Sequence, residues 1–220
     1  MAEPNVADKR TIRLDNIILS FTDSLYEKAK TAEDAIPKYN FNVIVPTGEK
    51  HSEANLAKIQ AAVKAAGEQK WGNPDIHKVI SEKNPMRVCF RKGERFSNAE
   101  GQVYEGYAGN WGISCGCPGK GQKRPKPLLD RHKREVEEKD IPDVFYSGTR
   151  GDVFLEFYGT EKGGNGIFCT AASVRSLQEG ERIGGGGIKV SADMFEDAPE
   201  GDAFEGTTTK PAAGGADDFD

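Results

Sequence analysis

Apolar and polar residues alternate most clearly between Tyr146 and Gln178, YSGTRGDVFLEFYGTEKGGNGIFCTAASVRSLQ. Val153, Leu155 and Phe157 fall on one face and Phe154, Glu156 and Tyr158 on the other, the period of two of a strand with one fully buried side. Gly159 to Gly166 supplies glycines and Asn165, residues that tolerate positive φ, so the pattern predicts a turn followed by a returning strand over Ile167 to Val174. A hairpin of this kind cannot bury its apolar face alone, and partner strands must come from the rest of the chain.

Three further segments offer them. Thr11 to Phe21 has an imperfect alternation, with Ile12, Leu14 and Ile18 sharing a face with Asn16, which predicts a bulge near Asp15-Asn16 or burial on both sides. Lys38 to Val45, KYNFNVIV, alternates cleanly and is stopped by Pro46-Thr47-Gly48. Met86 to Arg91 reads as a short strand with Met86, Val88 and Phe90 on one face and Arg87 and Arg91 on the other. The one substantial helix is predicted from Ser52, its N-cap candidate, to about residue 70, with Leu56, Ile59, Val63 and Ala66 at helical spacing and Trp71 as a core anchor near its end. Residues after Asn73-Pro74 read as loop, and Leu129 to Lys139 as a short, charged, solvated helix that Pro142 ends.

Length, composition and charge then bound the class. A chain of 220 residues that is 36% hydrophobic, with mean hydropathy -0.62, supports one domain with additional unburied sequence. The divisions expected are a flexible N-terminus over 1–10, a domain over 11–195 and a disordered acidic tail over 196–220. From Asp193 onward nine acidic residues face only Lys210, a net charge of -8, which leaves +3 on residues 1–192. A basic body joined to an acidic arm is a pattern of nucleic-acid-binding chains. The opening MAEPNVADKR lacks the pattern of a signal peptide, and no apolar run reaches the length of a membrane span, so the expected location is cytoplasmic and no membrane partner is expected. Four cysteines are too few for a disulfide scaffold; Cys89 and Cys169 read as reduced core residues.

The stretch from Lys92 to Lys126 carries the candidate chemistry. Tyr104, Tyr107 and Trp111 lie among glycines and are followed by CGCPGKGQKRPKP, which holds Lys120, Lys123, Arg124 and Lys126. Aromatic faces stack bases and cations neutralise phosphates, so this pairing suits single-stranded nucleic acid without strong sequence preference. Each aromatic, taken singly, reads equally well as core. Tyr146 and Arg150 complete the candidate set. No catalytic residue and no cofactor is expected: Cys115-Gly116-Cys117 lacks zinc-ligand spacing, His51, His77 and His132 are scattered, and Gly119-Lys120 is followed by Gly121 in place of the hydroxyl residue of a phosphate loop.

The order KYNFNVIVP, an Ala-rich helix ending in KWG, YAGNWGISC, KRPKPLLD, YSGTRGDVFLEFYG and a final ASVRSLQ segment resembles a phage-encoded family of single-stranded DNA-binding proteins over about residues 10 to 195. The resemblance implies an OB-fold, a host-cell cytoplasmic location, and a role in phage DNA replication, recombination and repair. The closing Asp217, Asp218, Phe219 and Asp220 are similar to the acidic tails of other single-strand binders, which implies recruitment of replication or recombination proteins; a solubilising spacer is the plainer reading. The tail's charge also suits competition with DNA for a basic groove. A homodimer is compatible with all of this. The expected fold class is therefore mainly β: an OB-fold-like β-barrel with one substantial helix and a disordered acidic tail. The alternatives are a virion structural or interaction protein built on a β-barrel and, third, a nuclease or other nucleic-acid enzyme.

Overall fold

The computed structural model describes residues 9–30 and 33–184; the flexible N-terminus expected over 1–10, but for residues 9 and 10, the end of the domain expected over 11–195, and the tail expected over 196–220 lie outside the described residues. Seven strands are present among these: β1 Thr11–Ser20, β2 Asn40–Val45, β3 Phe90–Lys92, β4 Trp111–Gly116, β5 Leu128–Leu129, β6 Arg150–Thr160 and β7 Gly166–Gln178. Five α-helical segments accompany them, α1 Asp23–Tyr26, α2 Ser52–Trp71, α3 Ile76–Lys83, α4 Pro118–Gly121 and α5 Ile141–Val144, with 3-10 turns at Pro85–Arg87, Gly93–Arg95 and Glu138–Asp140.

Five of the strands close on themselves. β1 pairs antiparallel with β2 and β6, β2 with β4, and β6 with β7, while β7 returns alongside β4 in parallel through Cys115↔Cys169 and Gly116↔Thr170. The cycle β1-β2-β4-β7-β6-β1 is a small OB-fold-like barrel, with β3 added beside β4 and β5 beside β7. Its interior is filled from alternate positions: Leu14, Phe41, Val43, Ile113, Cys115, Val153, Leu155, Phe157, Ile167, Cys169 and Ala171 are all buried. All four cysteines are reduced and buried.

The long hairpin forms β6 and β7 with the faces its alternation predicts. The irregularity expected in the first strand is also present. The β1–β6 register shifts between Leu14 and Ile17, and Asn16 takes φ 51°, a left-handed conformation that Asn tolerates better than most residues. This bulge is tied down on two sides. The Asp15 N–H donates to Asn55 Oδ1 at 3.1 Å and Asn55 Nδ2 donates to the Asp15 carbonyl at 2.7 Å, while the Asn16 N–H donates to Asp152 Oδ1 at 3.1 Å. Asn55 belongs to α2, so one buried amide fixes the helix to the barrel.

Helix α2 buries Ile59, Ala62, Val63 and Ala66 against the sheet and ends at Gly72 in the left-handed conformation. Its first helical residue is Ser52 and its N-cap position is His51; the Ser52 hydroxyl instead accepts from the Glu49 N–H at 2.9 Å. Trp71 packs partly buried against the core and donates to Glu161 Oε1 at 3.1 Å. A Cβ on Gly159 would lie 2.6 Å from its ring, which is why the end of β6 carries glycine there.

Four segments differ from the sequence expectation. Residues 76–83, read as loop, form α3; only Ile80 is fully buried, so the apolar period is too weak to see in sequence. The strand expected over Met86 to Arg91 begins only at Phe90, because Pro85–Arg87 forms a tight turn that leaves Met86 61% exposed. Trp111–Gly116, within a glycine-rich stretch, is a central barrel strand. The helix expected over Leu129 to Lys139 is absent: the Asp130 carboxylate accepts from the His132 and Arg134 N–H groups and turns the chain.

Candidate nucleic-acid interface

The barrel's alternation leaves an outer face, and one part of it is a groove of about 690 Å³ crossing β2, β4, β7 and β6. Asn40 and Asn42 project from β2, Ser114 from β4, Thr170 and Phe168 from β7, and Tyr158 from β6. Asn42 is paired with Ser114 and Tyr158 with Phe168 across their ladders, so these side chains form a row. The Tyr158 and Phe168 rings lie 6.4 Å apart, and Tyr158 is 38% exposed. None of the lining residues is Asp or Glu.

Cations stand over this floor. The Arg87 guanidinium sits 5.1 Å from the Phe168 ring centre and is oriented by the Lys162, Gly164 and Asn165 carbonyls of the β6–β7 turn. Lys38 and Lys120, both exposed, close the opposite rim. Lys120 is held there by a tight turn: the Gly121 N–H donates to the Cys117 carbonyl at 2.9 Å, and the Gly121 carbonyl accepts from the Tyr39 N–H at 2.8 Å. Gly121 has φ 83° and passes so close to Lys38 that a Cβ would lie 2.7 Å from the lysine side chain.

Above one end of the face lies the segment 93–110. It carries Phe96 and Tyr107, whose rings stack at 4.7 Å and cover Ile44 and Gly112 in a second, smaller apolar cluster. Arg91 reaches across the same face, over the Phe96 ring at 4.4 Å and onto Ser114 Oγ at 3.0 Å. Phe21 and Tyr104, each more than a third exposed, meet edge to face at 4.9 Å outside this cluster.

The nine residues singled out from sequence do not form one site. Lys120 lines the groove, and Lys123 and Lys126 are exposed on the segment that follows it. Tyr104 is exposed at the far end of the same face. Tyr107 is corrected to a core residue: it is 0% exposed, its hydroxyl beside Ser20 and Asn42 makes no hydrogen bond of good geometry, and burial pushes its pKa up to about 12. Trp111 projects to the other side of the β3–β4 ladder from Ser114, stacked on Phe90 at 4.7 Å.

Three others are engaged within the fold. Arg124 donates to the Leu25 and Tyr26 carbonyls and to Glu138, each at 2.8 to 2.9 Å, and lies over the Tyr39 ring. The Tyr146 hydroxyl exchanges hydrogen bonds with the Gly180 backbone at 3.0 Å. Arg150 forms a two-pronged ion pair with Glu49, and the guanidinium's hydrogen bonds hold that carboxyl below its ordinary range. Sequence reasoning missed Tyr158, Phe168, Arg87, Lys38, Asn40 and Asn42 as site residues; the outward register of Tyr158 was the signal that could have found it and its cross-strand partner Phe168.

Among the described residues no group of three His, Cys, Asp or Glu could hold a metal ion, and no helix is long and apolar enough to cross a membrane. The fold is similar to that of the single-stranded DNA-binding protein from bacteriophage Enc34 in complex with ssDNA. That match has a TM-score of 0.62 at 18% identity and covers 80% of this chain and 90% of the other. A second structure of the single-stranded DNA-binding protein from bacteriophage Enc34 gives 0.60 at 18%, covering 84% and 89%. In sequence, the chain is 30% identical over 189 residues to protein p50 of Acyrthosiphon pisum secondary endosymbiont phage 1, covering 84% of this chain and 92% of that one. The family described as Enterobacter phage Enc34, ssDNA-binding protein, matches residues 10–205, and the chain belongs to that family.

Proposed function

We propose that this chain is a non-enzymatic single-stranded DNA-binding protein of a phage, and that the strand lies in the outer groove over β2, β4 and β7. The observation that carries the reading is the groove itself: an aromatic pair, Tyr158 and Phe168, beside a polar floor, rimmed by Lys38, Lys120 and Arg87 and free of carboxylates. Bases stack on the rings and phosphates meet the cations, while Asn40, Asn42, Ser114 and Thr170 offer hydrogen bonds that any base can use, so sequence preference is weak. Tyr104 and Phe21 extend the path along the same face. Family membership supports the same chemistry. In this reading the protein works in the host cytoplasm and serves phage replication, recombination and repair.

The acidic tail has a part in this reading. Its net charge, -7 over residues 196–220, competes with DNA for the basic groove at low ionic strength, and Asp217, Asp218, Phe219 and Asp220 then recruit replication or recombination proteins. Fluorescence anisotropy with a labelled oligo-dT tests the whole. Phe168→Ala lowers affinity by ~1–3 kcal/mol, and deleting residues 196–220 tightens low-salt binding. Unchanged affinity in the first variant removes the groove from the site; unchanged affinity in the second removes the competition.

A further inference from the structure

Trp111 is left unused by the outer groove, and its surroundings form a second concave surface. A groove of about 640 Å³ lies between α2, α3 and β3, floored by Val88, Phe90 and Trp111. Phe90 and Trp111 are half-buried and stack nearly parallel, with an interplanar angle of 17°. Around them stand Lys64, Lys78, Lys92 and Arg95, all exposed, together with His77. Glu82 is the one carboxylate in the lining; Lys78 also pairs with Asp75 at 3.0 Å outside it. Position along β4 separates this groove from the first. Trp111 and Ser114 lie three residues apart and therefore on opposite faces of the strand, while Arg91 lines the second groove and reaches Ser114 of the first at 3.0 Å.

We infer that this second groove is a further contact site for single-stranded DNA, receiving a base against the Phe90–Trp111 floor and phosphates at Lys64, Lys92 and Arg95. The inference rests on the single-strand reading of the outer groove and adds a separate patch to it. Charge and shape select the occupant together. With Lys78 paired to Asp75, Lys64, Lys92, Arg95 and the buried Arg91 still outnumber Glu82 and call for an anion, and a flat aromatic floor in a groove of this size suits a planar ring between two phosphates. One body then holds a strand, or two strands, on two faces of the same ladder. A strand long enough to reach both grooves is held more tightly than one that fills the first alone, because the second contact is intramolecular.

The chain contains only two tryptophans, which makes Trp111 its own reporter. In the full chain carrying Trp71→Phe, tryptophan emission, excited selectively over that of tyrosine, comes from Trp111 alone. Adding oligo-dT quenches that emission. A Lys64→Glu/Lys92→Glu/Arg95→Glu variant loses the quenching while keeping anisotropy-detected binding of a short oligo-dT through the outer groove. Phe168→Ala gives the converse, weaker short-oligomer binding with Trp111 still quenched at saturation. Saturating oligo-dT that shifts anisotropy but leaves Trp111 emission and its acrylamide accessibility unchanged overturns this site and spares the outer groove. No anisotropy change with any oligomer overturns both. Quenching by a synthetic Asp-Asp-Phe-Asp peptide, at concentrations where oligo-dT gives none, reassigns the groove to an acidic peptide and overturns the inference.

Discussion

Neutralising the two rim lysines of the outer groove changes the salt dependence of binding in a way that can be calculated beforehand. Lys38 and Lys120 are exposed, and their side-chain charges are not needed to hold the barrel together. Each phosphate of a single strand that is deprived of its cation takes about 0.7 off the slope of log affinity against log salt, so Lys38→Ala/Lys120→Ala flattens it by about 1.4. Between 50 mM and 200 mM salt, a fourfold change, the affinity of the variant therefore falls by about sevenfold less than that of the parent chain. The assay is anisotropy with labelled oligo-dT at four or more salt concentrations, with a urea titration to show that stability is unaltered. Arg124→Ala is the contrasting variant. Its guanidinium is engaged by the Leu25 and Tyr26 carbonyls and by Glu138, so its removal lowers stability and leaves the slope close to that of the parent. A double variant with the parental slope, or an Arg124→Ala variant that flattens it at full stability, refutes this division of the cations.

Asn55→Ala strands the Asp15 N–H and carbonyl at the β1 bulge, two partly buried groups at ~1–3 kcal/mol each, and costs about 2–6 kcal/mol in urea unfolding; a loss under about 0.5 kcal/mol contradicts the anchoring role. Tyr107→Phe removes a buried hydroxyl with no well-formed hydrogen bond and leaves the Phe96 stack intact, so stability holds or rises and oligo-dT affinity is unchanged; a large affinity loss restores Tyr107 to the site. Acidification destabilises the fold through Glu49 and Asp15. Arg150 lowers the first carboxyl; for Asp15, burial alone acts upward, but hydrogen bonds from Lys58 and Arg13 bring it below its ordinary value. With both values below those of the unfolded chain, the unfolded state binds more protons, so this stabilisation is complete above the ordinary carboxylate range and is lost as pH falls through the lower folded values. Urea titrations from pH 7 to 3 show a shallower fall in Glu49→Gln, and a parallel fall contradicts the assignment.

Elements whose partners are set by a regular period were legible in the sequence. The β6–β7 hairpin, β2 and α2 each carry a buried residue every second position or every third to fourth, and the bulge in β1 shows as a break in that period. What was hidden depended on tertiary cover. Trp111–Gly116 alternates large with very small residues because Phe96 of a distant segment fills the space over Gly112, and the pattern reads locally as a glycine-rich loop. The same cover decides the aromatics: Tyr107 is enclosed and Tyr104 is not, though they stand three residues apart in like surroundings. Arg124 and Arg150 look like mobile cations in sequence because Glu138, the Leu25 carbonyl and Glu49 come from remote positions. The groove's floor was half visible, since Tyr158 already stood on the outward face, but Phe168 became its neighbour only through the register of the ladder.

The proposed path of the single strand lies across β2, β4 and β7. Photocrosslinking of the full chain to an oligo-dT containing 5-iodouracil, followed by digestion and mass spectrometry of the nucleotide-bearing peptides, tests it most directly. Adducts are expected at Tyr158 and Phe168, lost on competition with unlabelled oligo-dT. Competable adducts confined to other surfaces, with none on β6 or β7, would contradict it.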